Sequence, residues 1–272
     1  MGRKRTGLPI HGWLIVDKPE GPSSSHIVGM VRRLTNAAKV GHGGTLDPLA
    51  SGILPIALGE ATKTQQWAMD GRKIYRFTVR FGEATTTDDA EGEVSATSAV
   101  RPMAAEIEAA LPAFIGDIEQ VPPIFSAIKV DGQRAYKLAR QDQAVTLAAR
   151  TVSVHTFKLL GLPDSDHAEF EVECGKGTYV RALGRDLALQ LGTFGHIRRL
   201  RRVAVGPFRE DRAVSLQELQ GLEPATLLSR YLLPVETALA DIPALALTEQ
   251  EARRLKNGQG VPVLPVASRS PF

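Results

Sequence analysis

The chain has 272 residues, of which 43% are hydrophobic and 23% are charged, and its formal net charge at pH 7 is +3. These values are ordinary for a soluble globular protein of one large domain or two smaller ones. Its single cysteine, Cys174, excludes an intramolecular disulfide, and no apolar run approaches the roughly 20 residues of a membrane span. The sequence also indicates no signal peptide, so we expect a cytoplasmic protein.

Hydrophobic periodicity predicts strands and helices in mixed order. A short strand at 13–16 precedes a helix at about 24–34, which Ser23 or Ser24 caps. An alternating pattern at 74–81 predicts a half-buried strand. The other predicted elements are helical turns at 61–69 that bury Trp67, an acidic loop at 85–92, a helix at 104–114, a hairpin turning at Asp131 and Gly132, a basic helix after it, strands at 152–160, 168–174 and 197–205, a helix from about 181 to 191, and a last helix capped by Ser215. This order favours an α+β fold with a mixed, mostly antiparallel sheet.

A glycine-rich stretch at 41–52 carries two side chains with evident chemistry, His42 and Asp47. Pro48 biases Asp47 away from helical backbone angles and fixes the next φ. The stretch therefore predicts a stiff loop that presents one carboxylate.

Three known kinds of glycine-rich site do not fit this stretch. It lacks the Gly-Lys-Ser/Thr triplet of a phosphate-binding loop, it has too few ligands for a metal, and Ser51 does not lie in a Gly-x-Ser-x-Gly elbow. Taken alone, the stretch slightly favours a turn in which Asp47 only binds its own backbone.

Charge is distributed unevenly along the chain. Residues 83–120 contain nine acids and one base, whereas residues 176–212 contain nine bases and three acids. Such a surplus is typical of a phosphate-facing surface, and a solvated face without a partner is the alternative. The dense basic run at 198–202 favours nucleic acid as a partner.

Several separated segments carry distinctive motifs. They are the glycine-rich loop at 41–56, the strand that begins near Tyr75, Pro-Pro-x-x-Ser-Ala-x-Lys-x-x-Gly-x-x-x-Tyr-x-x-Ala-Arg at 122–140, Gly-Thr-Tyr-Val-Arg at 177–181, Leu-Arg-Arg at 200–202 and Asp-Lys-Pro at 17–19. In order and spacing, over about residues 10 to 240, these motifs resemble the TruB family, the bacterial tRNA pseudouridine-55 synthases.

The resemblance implies an α+β pseudouridine-synthase fold, in which helices and loops flank a mixed sheet. It implies isomerisation of uridine to pseudouridine at position 55 in the T loop of tRNA, with the target base flipped out of its stack. It implies no cofactor and no metal. We expect a monomer that binds the T arm of tRNA and no membrane.

By motif position, the resemblance implies that Asp47 is the catalytic aspartate, that Arg181 pairs with it and that Tyr75 takes part in catalysis. The family's substrate-contacting residues correspond to His42, Tyr75, Tyr179 and Leu200. A segment at about 122–146 resembles the family's RNA-clamping thumb. We expect further contacts to the RNA backbone from Lys18, Lys129, Arg134, Arg140, Arg198, Arg199, Arg201 and Arg202.

The reaction itself favours one ionised carboxylate. A C–N glycosidic bond must break and a C–C bond must form, and covalent catalysis divides such a change into easier steps. The sequence leaves open whether Asp47 attacks the sugar C1′ or the uracil C6. Burial favours a protonated carboxyl group and a neighbouring arginine favours the anion, which is the role assigned to Arg181. The alternative for Arg181 is an exposed residue that contacts phosphate.

The other candidates each have a structural alternative. Tyr75 is a candidate stacking platform whose hydroxyl assists proton removal from C5, although periodicity alone favours a core tyrosine. Tyr179 is a second wall of the pocket or part of the core. His42 fills the space of the flipped base or faces solvent in a turn. Leu200 acts through its backbone or as an apolar wall.

Composition shifts near residue 240, where prolines become frequent. We therefore expect a catalytic domain at 1–240. The family continues into an RNA-binding domain of the PUA type, and residues 255–259 resemble its beginning. We expect 241–272 to be a truncated, PUA-like remnant of that domain.

Other functions stay open from the sequence. One is a non-catalytic RNA-binding or tRNA-folding protein, and another is a guide-RNA-dependent relative that works in a multi-protein particle. A sugar-cleaving hydrolase is less well supported, because it usually needs a second catalytic carboxylate and these motifs contain none.

Overall fold

A ten-stranded mixed sheet forms the centre of the part of the chain that the structure describes. This structure is a computed structural model, which describes residues 7–126, 128–130, 133–135, 141 and 146–262. The strands are β1 (Gly12–Lys18), β2 (Val40–His42), β3 (Ala50–Leu58), β4 (Lys73–Phe81), β5 (Glu83–Thr85), β6 (Val94–Thr97), β7 (Gly116–Gln120), β8 (Lys129–Val130), β9 (Gln133–Arg134), β10 (Arg150–Gly161), β11 (His167–Cys174), β12 (Gly195–Val205), β13 (Phe208–Arg209) and β14 (Val214–Ser215).

The strand order places the glycine-rich loop beside the basic strand. Across the sheet the order is β14–β1–β3–β12–β4–β11–β10–β7, with β13 paired to β12 and β2 paired to β3. The β1–β14 and β3–β12 pairs are parallel, and the other pairs are antiparallel. Because β3 lies against β12, Leu200 pairs with Ala50 and Arg202 pairs with Gly52. The predicted α+β fold with a mixed, mostly antiparallel sheet is confirmed.

Helices cover the sheet and carry several site residues. Those in the described residues are α1 (Ser24–Thr35), α2 (Gln65–Asp70), α3 (Ala104–Ala110), α4 (Val180–Gln190), α5 (Leu216–Gly221), α6 (Pro224–Tyr231) and α7 (Glu249–Lys256). Helix α4 lies against β12 and β4. None of the described helices has both the length and the apolar character that crossing a membrane requires.

The sheet buries hydrophobic side chains on both faces, because neighbouring residues of a strand point to opposite sides. In β1, Leu14 and Val16 join the larger buried cluster, whereas Trp13 and Ile15 join the smaller one. The larger cluster includes Phe77 and the stacked ring of Phe170, whose centroids are 5.4 Å apart.

Most elements that periodicity predicts are present. Ser23 is the cap of α1, since its side chain accepts a hydrogen bond from the His26 amide at 3.2 Å. The predicted hairpin forms from β8 and β9, while its turn at 131–132 and the predicted basic helix after it lie outside the described residues. The burial predicted for Trp67 is wrong, because Ala68 faces the core and Trp67 is 40% exposed.

A substitution at Gly52 would test the close contact between β3 and β12. The φ of Gly52 is +101°, and an added Cβ would lie 2.2 Å from the Arg202 carbonyl oxygen. We expect Gly52→Ala to lower the free energy of unfolding by about 2–6 kcal/mol, from backbone strain and overpacking together. Gly221→Ala is the control, because its Cβ would meet no described atom within 4 Å. Urea denaturation measures both variants, and equal midpoints would contradict the expectation.

Candidate active site

Asp47 lies on the loop between β2 and β3, and the residues on either side of it are held by buried polar side chains. The Ser24 hydroxyl donates to the Leu46 carbonyl at 2.9 Å and accepts from the Leu46 amide at 2.8 Å. On the other side, the Pro48 carbonyl accepts from the Gly21 amide at 2.8 Å and from Lys18 Nζ at 3.1 Å. The backbone around Asp47 is therefore fixed in place before any substrate binds.

Arg202 holds the earlier part of the same loop. Its side chain is buried, and its guanidinium donates to the carbonyls of Gly44, Thr45 and Ile53 at 3.0, 3.2 and 2.9 Å. Gly44 has a φ of +125°, a left-handed conformation that suits glycine. The guanidinium thus gives hydrogen-bond partners to two carbonyls of the irregular loop and ties them to Ile53 in β3.

Lys18 fixes a second set of loop carbonyls. Its buried ammonium donates to Pro19 at 2.8 Å and Pro22 at 2.9 Å, besides the Pro48 carbonyl. A protonated lysine has three donors, and here each finds a carbonyl. The RNA contacts predicted for Lys18 and Arg202 are corrected, because these buried cations bind the protein's own backbone.

The predicted pair of Asp47 and Arg181 is present in the structure. Arg181 Nη2 lies 2.9 Å from Asp47 Oδ2, and Arg181 Nη1 lies 3.3 Å from Asp89 Oδ2. The guanidinium also donates to the carbonyls of Thr87 at 3.0 Å and Phe125 at 2.9 Å. The Arg181 and Asp89 side chains are 5% and 3% exposed, whereas Asp47 is 38% exposed. Of these two carboxylates, Asp47 is therefore the one open to a reactant.

Asp89 is a site residue that the sequence analysis missed. Its second oxygen accepts from the Thr87 hydroxyl at 2.5 Å and the Glu91 amide at 3.0 Å. It lies in the predicted acidic loop at 85–92, whose charge is opposite to that of the segment carrying Arg181. The opposite charges of these two segments could have indicated that they lie together. They do not indicate which carboxylate pairs with which arginine.

The two tyrosines lie near the carboxylate. The charge of Asp47 acts on both phenols, but burial is the main reason that the pKa values of Tyr75 and Tyr179 are raised. Tyr75 is half-buried and pairs with Arg202 across β4 and β12. Gln120 fixes the Tyr179 backbone by accepting from its amide at 2.8 Å and donating to its carbonyl at 3.1 Å. Gln120 is buried, and no pattern in the sequence indicates this contact.

His42 and Leu200 occupy different surroundings. The His42 ring is half-buried, and its buried Nδ1 has no hydrogen-bond partner among the described residues. Burial, followed by the positive charge of Arg202, lowers the pKa of His42, so the ring is neutral at pH 7. Leu200 is buried beside the loop, and its carbonyl accepts from the Ser51 hydroxyl at 3.4 Å.

The predicted RNA-facing cations separate into two groups. Arg198 and Arg199 are exposed on β12. Arg201 is engaged by Asp17, through two bonds of 2.9 Å, and by Glu210 at 2.6 Å. The remaining candidates, Arg140 and the side chains of Lys129 and Arg134, lie outside the described part of the chain.

This arrangement suits nucleophilic chemistry by a single carboxylate. Asp47 is accessible and paired with a buried cation, and the phenols of Tyr75 and Tyr179 lie within reach of its charge. Within the described residues, no group of three or more His, Cys, Asp and Glu side chains is placed to hold a metal ion.

Comparisons with known proteins show which family the chain resembles. The model of the TruB family pseudouridylate synthase N-terminal domain matches residues 32–180, and that of the tRNA pseudouridylate synthase B C-terminal domain matches residues 181–240. The chain is 56% identical to tRNA pseudouridine synthase B of Rhodospirillum rubrum, covering 100% of this chain and 88% of the relative. It is also 56% identical to the Caulobacter vibrioides protein of the same name, with coverages of 97% and 86%. A crystal structure of a Cbf5-Nop10-Gar1 complex contains a chain that superposes with a TM-score of 0.71 at 27% identity, covering 91% of this chain and 67% of that one.

The protonation of Lys18 is open to direct measurement. Burial lowers the pKa of Lys18 to about 8, against the raising effect of Asp47, and burial also lowers the pKa of Lys73 to about 8. We expect these two lysines to titrate near pH 8 in carbon-13 chemical shifts of Cε, whereas an exposed lysine titrates near 10.4.

Stability should follow from the same shift. Between pH 8 and about 10.4 the unfolded chain binds more protons than the folded one, so stability rises with pH by up to about 1.4 kcal/mol per pH unit for each of the two lysines. Lys18→Met removes one lysine's share of that slope, and the exposed Lys158→Met is the control. An unchanged slope in Lys18→Met would contradict the shift.

Proposed function

The chain belongs to the TruB family of tRNA pseudouridine synthases, and we propose that it isomerises uridine at position 55 in the T loop of tRNA with Asp47 as the nucleophile. The carrying observation is the ion pair between the accessible Asp47 and the buried Arg181 at 2.9 Å. The phenols of Tyr75 and Tyr179, on which the charge of Asp47 acts, support the same assignment.

Asp47 acts as the anion in this proposal. It attacks C1′ of the ribose or C6 of the uracil, forming a covalent adduct. The bond between N1 and C1′ breaks, the uracil turns, and C5 bonds to C1′. An adduct at C1′ breaks as the new bond between C5 and C1′ forms, whereas an adduct at C6 breaks after it; in both routes C5 loses its hydrogen as a proton and N1 takes up a proton. No electrons are gained or lost overall, so the isomerisation consumes no oxidant or reductant.

Arg181 keeps the carboxylate ionised inside a pocket that the substrate closes. Removing water from Asp47 would favour its protonated form, and the guanidinium opposes this effect. Asp89 stabilises Arg181 from its other side at 3.3 Å, so the arginine remains in place when Asp47 carries the adduct. Asp89 itself is buried and bonded, which leaves it unavailable as a second nucleophile.

The target uridine must leave its stack to reach Asp47. Unstacking costs a few kcal/mol, and an aromatic platform returns about 1–3 kcal/mol per base. Tyr75 supplies the platform, and its phenol stays protonated at pH 7 because burial raises its pKa.

The exposed arginines of β12 contact the RNA backbone. Arg198 and Arg199 stand at an irregularity of β12, where its pairing with β4 shifts between Ile197 and Arg199. Recognition then depends on the shape of the folded loop and on its splayed bases rather than on a helix sequence.

A guide-RNA-dependent activity is the second candidate. It has structural support, since the complex named above contains a chain of the same fold. Sequence identity favours the first proposal. The chain is 56% identical to the tRNA pseudouridine synthase B of Rhodospirillum rubrum and 27% identical to the chain of that complex. Activity of the isolated chain on tRNA separates the two.

The proposed chemistry predicts tritium release. The purified chain is mixed with an unmodified tRNA transcript labelled at uracil C5, without added metal or partner protein. We expect tritium to enter water and pseudouridine to map to position 55. Asp47→Asn should abolish release while tRNA binding persists, because the amide is not a nucleophile.

Asp117→Asn, an exposed substitution on β7, is the matched control and should release tritium like the wild type. Salt-sensitive binding without release by the wild-type chain would instead indicate a binding protein. Release that starts only when guide RNA and partner proteins are added would favour the second candidate.

The proposed backbone contacts predict a salt effect. We expect Arg198→Gln and Arg199→Gln each to reduce the slope of log K against log salt concentration by about 1, with kcat unchanged. Arg201→Gln is the comparison, since Asp17 and Glu210 already neutralise that charge. Filter binding at several salt concentrations gives the slopes, and identical slopes in all three variants would refute the assignment.

A further inference from the structure

A second arginine of α4 repeats the contacts of Arg181. Arg185 lies four residues later, which places it on the same helix face one turn away. Its Nη1 pairs with Asp88 at 2.8 Å, its Nη2 donates to the Val121 carbonyl at 2.7 Å, and its Nε pairs with Asp186 at 2.8 Å. All three of its nitrogen atoms are therefore engaged.

The two arginines connect the same two segments. Arg181 joins the acidic loop at 85–92 to the segment 121–126 through Asp89 and the Phe125 carbonyl. Arg185 joins that loop to that segment through Asp88 and the Val121 carbonyl. The segment therefore has one attachment at each end, and each attachment is paired with one of two consecutive aspartates.

The backbone between these aspartates is shaped for the double contact. Asp88 has a φ of +59°, in the left-handed region that residues other than glycine rarely adopt. Its amide donates to the Thr85 carbonyl at 3.3 Å, and its carbonyl accepts from the Ile197 amide at 3.1 Å. The turn thus presents Asp88 to Arg185 and Asp89 to Arg181.

We propose that Arg185 and Asp88 are positioning residues, which hold the acidic loop and the segment 121–126 where Arg181 can contact Asp47, Asp89 and the Phe125 carbonyl at once. This inference rests on the proposed function. Arg185 acts on Asp47 through Arg181 and not through a bond of its own to that carboxylate.

Geometry explains why a second attachment matters. Arg181 Nη2 is shared between Asp47 and the Phe125 carbonyl, both at 2.9 Å. If the segment 121–126 moved away, the guanidinium would follow one partner and release the other. A small displacement of this kind changes the direction from which Asp47 attacks, and rate is sensitive to that direction.

The Arg185 side chain is charged under all conditions of interest. Burial tends to lower its pKa, but hydrogen bonding to Asp186 and the charge of Asp88 outweigh this effect, and the pKa is raised. Burial raises the pKa of Asp88, although Arg185 opposes the shift. The pair is therefore partly desolvated, and removing either partner affects the loop.

The test compares Arg185→Gln with Arg101→Gln, using the whole 272-residue chain and the tritiated transcript. Arg101 is the matched control, because it also joins an aspartate, Asp166 at 2.6 Å, to a backbone carbonyl, that of Ser98 at 2.8 Å. We expect Arg185→Gln to lower the single-turnover rate constant at saturating enzyme by about 10- to 100-fold. The Kd for tRNA should stay within about twofold of the wild-type value, because the bonds that Arg185 makes are internal to the protein.

Two further variants separate positioning from folding. Arg185→Lys retains the charge opposite Asp88 but cannot bind three partners as a fork does, so we expect an intermediate rate constant. Asp88→Asn should lower the rate constant as well, and the double variant with Arg185→Gln should be no slower than Arg185→Gln alone. If Arg185 had a purely structural role, Arg185→Gln and Arg101→Gln would both lower Tm. The rate constant of the folded enzyme would then stay unchanged in both variants.

Three outcomes decide the matter. Equal rate constants for Arg185→Gln and Arg101→Gln, with an active wild type, would overturn this inference and leave the proposed function intact. A rise in Kd without a fall in rate would also overturn it, since Arg185 would then be an RNA contact. A wild-type chain that releases no tritium would refute the proposed function itself.

Discussion

The site is organised around one buried guanidinium. Arg181 is 5% exposed and bonds two carboxylates and two backbone carbonyls that come from three different parts of the chain. A buried arginine is costly to desolvate, so it is tolerated only where nearly all its donors have partners. Asp89 and the two carbonyls meet most of that requirement without Asp47. The nucleophile can therefore remain 38% exposed and still be paired with a cation.

A second constraint acts on the loop that carries Asp47. Several of its carbonyls accept hydrogen bonds from side chains rather than from a neighbouring strand, and buried backbone groups need such partners. Ser24, Lys18 and Arg202 provide them from α1, β1 and β12, and β12 is far from the other two elements in sequence. The glycines allow the loop its shape, but these side chains select one conformation. This division explains why polar residues occupy fully buried positions beside the loop that carries Asp47.

Sequence reasoning succeeded where the signal is local or a motif is long. The alternation through Phe77 and Val79 predicts β4 because the period of a strand is two, and Asp47 stands out within its motif. The pair with Arg181 came from the family's motif and not from spacing. Asp89, Ser24 and Gln120 were missed because each acts through a single long-range contact, which leaves no periodic trace. The burial predicted for Trp67 was wrong for a related reason, because the sequence of a six-residue helix does not show which side faces the core.

The number of charges in a sequence segment likewise does not show which of them are exposed, and this affects the prediction of function. Residues 176–212 have a surplus of six positive charges in sequence, which reads as a surface for phosphate. In the structure, Arg181 and Arg202 are buried, and Arg185 and Arg201 are bound to carboxylates. Much of this positive charge therefore binds groups within the protein. Arg198 and Arg199 remain exposed on β12. A site that presents so few free cations there must obtain specificity from fit, because phosphate attraction alone does not distinguish one RNA loop from another.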